Sequence, residues 1–178
     1  PDGGAHQAVG TPLTGVAQDG VASFEPAFAD ELAVILERAF DYLQRDGHKD
    51  SDTNHDERTW LRDETGGSVY LRLTTAPLEQ PGKRHDDAIR QGAIVGAYWL
   101  RKPGPNCDVV IAYQGAVAQE AIGAAGQLTE ARRDVGVLAV TSSDRLNAGW
   151  TAAQRARARG NTGAVSHIET LLNGLPAS

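Results

Sequence analysis

The chain opens with Asp2-Gly3-Gly4-Ala5-His6-Gln7, a glycine-rich polar turn that ends on an imidazole. An imidazole can donate or give up a proton near neutral pH, which makes it the natural general acid–base group. A turn of this composition belongs between a strand and a helix, where it presents its histidine to a ligand. His6 is therefore the first candidate for chemistry.

Other residues of suitable type give weaker signals. Asp50, Asp52, Asn54 and Asp56 are spaced like the start of a calcium loop. An EF-hand needs Gly at its sixth position and Glu at its twelfth, and His55 and Leu61 stand there. The cluster reads as a solvated acidic loop, and His48 and His55 beside it lack ligand spacing, so no metal site is expected. Cys107 has no histidine near it in sequence and is given no catalytic role. Ser142-Ser143-Asp144 lacks the G-x-S-x-G setting of a hydrolase nucleophile. Gly115 begins a strand-to-helix turn of the kind that can hold phosphate, but no G-x-G-x-x-G accompanies it. Gly123 and Gly126 are read as permitting close helix–sheet packing. Arg155, Arg157 and Arg159 spread around a helix and read as a solvated face.

The elements that must position such groups can be read from periodicity. A short strand is expected near 20–24. A helix follows, with Pro26 at its first position and Gly47 at its end. Phe28, Leu32, Ile35, Leu36, Ala39, Phe40 and Leu43 fall on one face at the helical period. Asp30, Glu31, Glu37, Arg38 and Asp41 take the other face. Residues 46–67 read as a polar insertion and 69–75 as a strand. Residues 76–91, with Pro77, Pro81, Gly82 and many charges, read as an interdomain linker. A short strand is expected over 94–101, a buried-type strand over 108–113, and a helix bearing Val117, Ala121, Ala124, Ala125 and Leu128. A second buried-type strand at 135–141 completes a βαβ unit, which requires a parallel pair. Residues 151–173 read as helix, broken near Gly160–Gly163.

Composition sets the outer bounds. The 178 residues carry a net charge of −6 and a single Cys. The negative charge argues against a nucleic-acid partner, and the lone Cys suits a reducing compartment, so a cytoplasmic location is expected. No apolar run approaches the roughly 20 residues that span a bilayer, so no membrane role is expected.

Three separated blocks, in order, resemble one family. Asp2–Gln7 resembles the D-G-x-x-H-Q turn of thiamine-diphosphate-dependent transketolases and homodimeric pyruvate dehydrogenase first components. Phe24-Glu25-Pro26-Ala27-Phe28-Ala29-Asp30-Glu31 resembles the x-x-P-A-x-x-x-E start of the family's next helix. Gly92–Trp99, Val109–Gly115 and Val137–Asp144 resemble the opening of the family's C-terminal domain. The likeness implies an α/β protein with a parallel-sheet, three-layer α/β/α architecture. Residues 1–80 would be the C-terminal part of a pyrimidine-binding-type domain, and 81–178 the start of a C-terminal-type domain.

The resemblance also implies chemistry. His6 would be catalytic and substrate-binding, hydrogen-bonding the oxygen on which charge develops. Asp2 would contact substrate, although Pro1 stands where the family has an acidic residue. The cofactor would be thiamine diphosphate with Mg2+, held mostly outside this chain. The G-D-G…N metal motif and the cofactor-activating Glu are not recognisable here, so this piece alone should neither bind cofactor well nor turn over. Partners would be a small 2-oxoacid or keto-sugar substrate, the rest of the polypeptide and a second subunit. The transketolase phosphate-binding Arg is expected near the end of the strand at 69–75. Arg72 lies one place off, with Leu73 in the expected position, which favours a 2-oxoacid over a sugar phosphate. The rival reading is a noncatalytic α/β interaction or dimerisation module, using apolar surface on the helix at 27–45.

Overall fold

The computed structural model describes Leu13 and residues 21–44, 67–81 and 86–175. Two parallel strands, β1 (Val21–Phe24) and β2 (Ser68–Leu71), pair in register from Val21 against Ser68 to Phe24 against Leu71. Between them in sequence lies α1 (Ala29–Leu43). The second half contains α2 (Asp87–Val95), β3 (Ala97–Arg101), β4 (Val109–Gln114), α3 (Ala118–Glu130), β5 (Val135–Val140), α4 (Ser143–Ala158) and α5 (His167–Leu172). A short 3-10 turn, Gly115–Val117, leads from β4 into α3.

The second sheet has the order β3-β5-β4. β5 reads Val-Gly-Val-Leu-Ala-Val and is covered along its length, as a continuous apolar run at the centre of a sheet should be. On one face Val135, Val137 and Ala139 join the core formed with Ala118, Ala121 and Ala125 of α3. On the other face Leu138 lies opposite Trp99 in the ladder, and α5 packs against β3. The chain is thus a layered α/β protein, as the sequence implies.

One strand departs from the all-parallel expectation. β4 and β5 are parallel, but β3 runs antiparallel to β5. The link over residues 102–108 is too short to carry the chain back to the opposite end of the sheet, so β4 starts at the end where β3 stops. A parallel crossover needs a dozen or more residues. The 76–91 linker is also shorter than expected. Asp86 accepts a hydrogen bond from the Ala88 N–H at 2.7 Å and starts α2 at Asp87, so 87–91 are helical. α2 ends at Gly96, whose φ of 117° turns the chain straight into β3. The strand expected over 94–101 accordingly begins at Ala97.

The first helix is shifted in both start and phase. It begins at Ala29 rather than Pro26, and its buried residues are Glu31, Val34, Ile35, Ala39 and Tyr42. Phe40 and Leu43, placed on the apolar face by their spacing, are 61% and 50% exposed. Glu31, placed on the polar face, is 2% exposed. Its Oε2 accepts from the N–H groups of Ala27 at 2.8 Å and Phe28 at 3.0 Å, and its Oε1 accepts from the Tyr98 hydroxyl. A buried carboxylate is tolerable when donors surround it in this way. The same contacts tie the start of α1 to β3, and Phe28 enters the core of the second half beside Tyr98 and Tyr113.

Two other sequence readings change. A Cβ added at Gly123 or Gly126 would meet nothing within 4 Å, so these glycines do not mediate close packing. The buried face of α3 is instead Ala118, Ala121 and Ala125. Arg157 is not merely solvated. It donates to Glu169 at 2.8 and 3.3 Å and to the Ala164 carbonyl at 2.7 Å, bridging the break between α4 and α5. α5 is further held by the Trp99 indole donating to the Leu171 carbonyl at 3.2 Å, and by His167 Nε2 donating to the Ala97 carbonyl at 2.7 Å.

Two predictions follow from these contacts. Glu31→Ala removes the acceptor for three donors and is expected to cost about 3 kcal/mol. This would be read as a lower denaturation midpoint at unchanged m value, with Glu31→Gln intermediate. The Arg157 guanidinium, helped by Ser166, holds the Glu169 carboxyl at about 2 rather than its ordinary 4.5. A lowered carboxyl contributes stability that is present above pH 4.5 and lost as pH falls through about 2. The Trp99 indole N–H resonance should therefore report release of α5 in that acid window. Arg157→Gln should move the Glu169 titration up toward 4.5.

Candidate active-site crevice

Ligands of open α/β sheets collect outside the carboxyl ends of the strands, where neighbouring strand ends diverge. Here three such ends converge. β1 runs out into Glu25-Pro26, β2 into Arg72-Leu73-Thr74-Thr75, and β4 into Gly115-Ala116. Together they line a crevice of about 290 Å³.

Backbone hydrogen bonds set its geometry. The Arg72 N–H donates to the Phe24 carbonyl at 2.9 Å, carrying the β1–β2 ladder to the crevice rim. The Glu25 N–H donates to the Thr141 carbonyl at 2.7 Å. Ser23 is clamped at both backbone groups, its N–H donating to Asp144 Oδ2 at 3.0 Å and its carbonyl accepting from the Ser142 hydroxyl. Ser142 Oγ also accepts from the Arg145 N–H at 3.1 Å, capping α4. Ser142 and Asp144, which carry no nucleophile motif, thus serve as the fastening of β1.

The charged pair in the crevice is Arg72 and Glu25, with Nη1 2.8 Å from Oε1. Gln114 Nε2 donates to Glu25 Oε2 at 3.4 Å. Gly115 lies at φ 61°, and a Cβ there would come 2.5 Å from Glu25 Oε1. Only glycine leaves room for this carboxylate at the turn from β4 into α3. The Glu25 side chain is 15% exposed and that of Arg72 is 49% exposed, so the negative charge sits inside and the positive charge at the rim. The arrangement can hold and orient a polar ligand. His167, the one histidine among the described residues, points its Nε2 to the Ala97 carbonyl, so no described imidazole lines this crevice.

A second concavity of about 490 Å³ lies between α3, β3 and residues 79–81. Its wall is largely carbon, including Phe28, Leu100, Ile122 and Ala125, and Arg101 on its rim donates to Thr129 Oγ1 at 2.7 Å.

Of the residues singled out in the sequence, Arg72 and Leu73 both line the crevice, and Gly115 lies at its base. Asp2 and His6 lie outside the described residues, as do His48, Asp50, Asp52, Asn54, His55 and Asp56. Cys107 is buried, with its thiol directed to the Val109 carbonyl at 3.2 Å. Among the described residues no group of three His, Cys, Asp or Glu could hold a metal ion. No described helix is long and apolar enough to cross a membrane. Glu25 and Gln114 were missed by motif reasoning. The available signal was a charged residue placed directly between a strand end and a proline, which holds it extended.

The chain has a transketolase-like fold. It superposes on transketolase from Pichia stipitis with a TM-score of 0.55, 18% sequence identity and 80% of the chain covered. That structure is of the H261F variant, and the same values hold for the enzyme's complex with sedoheptulose-7-phosphate. The chain spans 17% of the length of those proteins. No protein-family model and no curated protein sequence matches it.

Burial raises the Asp144 carboxyl above its ordinary 3.8, and the Ser23 N–H and Arg145 oppose this only in part. The stability carried by such a shift is full below pH 3.8 and is lost as pH rises through the raised value. Asp144→Asn keeps an oxygen acceptor for Ser23 and removes the titration. The variant should therefore be at least as stable as the parent at neutral pH, with its advantage vanishing toward pH 3.8. Urea denaturation across that range checks it, and a parent that gains on the variant as pH rises would contradict it.

Proposed function

We propose that the chain is part of a thiamine-diphosphate-dependent enzyme of transketolase or pyruvate-dehydrogenase type, which transfers a ketol or acyl unit from a 2-oxo substrate. What supports this is the transketolase-like fold over 80% of the chain, together with the Asp2–Gln7 turn and the Phe24–Glu31 helix start in the order the family uses. The reading assigns the diphosphate and Mg2+ site to the rest of the enzyme and a second subunit. On this reading residues 1–80 complete a pyrimidine-binding-type domain, 81–178 begin a C-terminal-type domain, and the enzyme is cytoplasmic.

Thiamine diphosphate, when bound, supplies the carbanion for attack on a 2-oxo carbon. The part of this chain is orientation and charge. His6 donates a hydrogen bond to the substrate oxygen that gains negative charge, and Asp2 holds a neighbouring substrate group. A preorganised donor at such an oxygen is worth roughly 10²–10³ in turnover. In the complete enzyme, His6→Ala should lower kcat by that order while cofactor affinity stays nearly intact. An unchanged kcat removes His6 from the site.

One observation favours a second reading, a noncatalytic interaction or dimerisation module. Phe40 and Leu43 stand exposed on α1, an apolar pair available to a partner. Calorimetry of the complete protein with thiamine diphosphate and Mg2+ separates the two, since a module has no reason to bind them.

A further inference from the structure

We propose that Glu25 is a resident anion of the crevice and keeps phosphate monoesters off Arg72. The inference rests on reading the crevice as part of the substrate path. The crevice holds a cation and two hydroxyl groups that suit an anion. A guanidinium stands at the rim, a helical turn begins at Gly115, and Thr74 and Thr75 complete the wall. Glu25 already occupies that position, 2.8 Å from Arg72 and 3.4 Å from the Gln114 amide. The bond from its N–H to Thr141 anchors its backbone, and the missing Cβ at Gly115 gives its carboxylate a seat. The pair is electrically neutral, so an entering phosphate finds no net attraction and a carboxylate in its place. The substrate class admitted is one with an uncharged end at this point, such as a short 2-oxoacid extending its alkyl group.

The test uses inorganic phosphate as the probe, followed by calorimetry and by the amide resonances of Gly115 and Ala116. The parent is expected to show no binding at those amides in the millimolar range. Glu25→Gln keeps the shape and removes the charge, and it should bind phosphate about tenfold more tightly or better. Adding Arg72→Gln should abolish the gain. Phosphate binding by the parent at those amides overturns the proposal, as does a Glu25→Gln affinity equal to the parent's or a gain that survives loss of Arg72. Glu25→Ala serves if Glu25→Gln does not fold, and the parent titration stands in either case. The readout involves neither cofactor nor turnover, so it fails or succeeds separately from the His6 test of the enzyme reading.

Discussion

Ser23 presents both its backbone N–H and its carbonyl to the start of α4, and Asp144 and Ser142 take one each. Two residues on, the Glu25 N–H reaches the Thr141 carbonyl. Among the described residues β1 has one strand partner, β2, and these bonds fix where it ends relative to the second sheet. Thr141 is itself held, its N–H on the Gly96 carbonyl at 2.9 Å and its hydroxyl on the Ala93 carbonyl at 2.8 Å. The end of β1 is therefore positioned through Thr141 by the α2–β3 corner. α4 can lie close enough to do this because its buried face, Ala148, Ala152 and Ala156, is all small. The burial that makes the clamp also raises the Asp144 carboxyl, so the fastening carries an electrostatic cost.

The crevice inherits its charge layout from that fastening. With the backbone of Glu25 anchored, its side chain reaches Arg72 across the β1–β2 rim and Gln114 at the end of β4. Gly115 completes the fit through the absence of a side chain. A half-exposed ion pair contributes little to stability by itself. Its importance lies in what it does to the local field, because it cancels the attraction that the guanidinium would otherwise exert on an anion.

The regular elements were legible where burial followed hydropathy. β5 is an unbroken apolar run and lies at the centre of its sheet, and α3 turns its alanines inward. Legibility failed where a polar group was buried by a distant partner. Glu31 counted as surface on the helical period, yet Tyr98, 67 residues away, gives it a donor inside the core. That contact sets the start of α1, while Phe40 and Leu43 end up outside. The direction of β3 was illegible for another reason, since periodicity identifies a strand without its sense. At the crevice, Arg72 could be singled out by type and position. Glu25 could not, because its role depends on Arg72 and Gln114, 47 and 89 residues away.

At 18% identity, what the transketolase structures share with this chain is the course of the backbone. The ends of β1 and β2 are set by main-chain bonds together with the side chains of Ser142 and Asp144, neither of which faces into the crevice. A fold can therefore preserve a crevice while the groups facing into it change, which is why chemistry must be argued from the site rather than the architecture. Arg72 and Glu25 form a neutral pair at this site, whatever stands there in a relative. The local charge of the crevice follows from that pair and from the glycine that makes room for it.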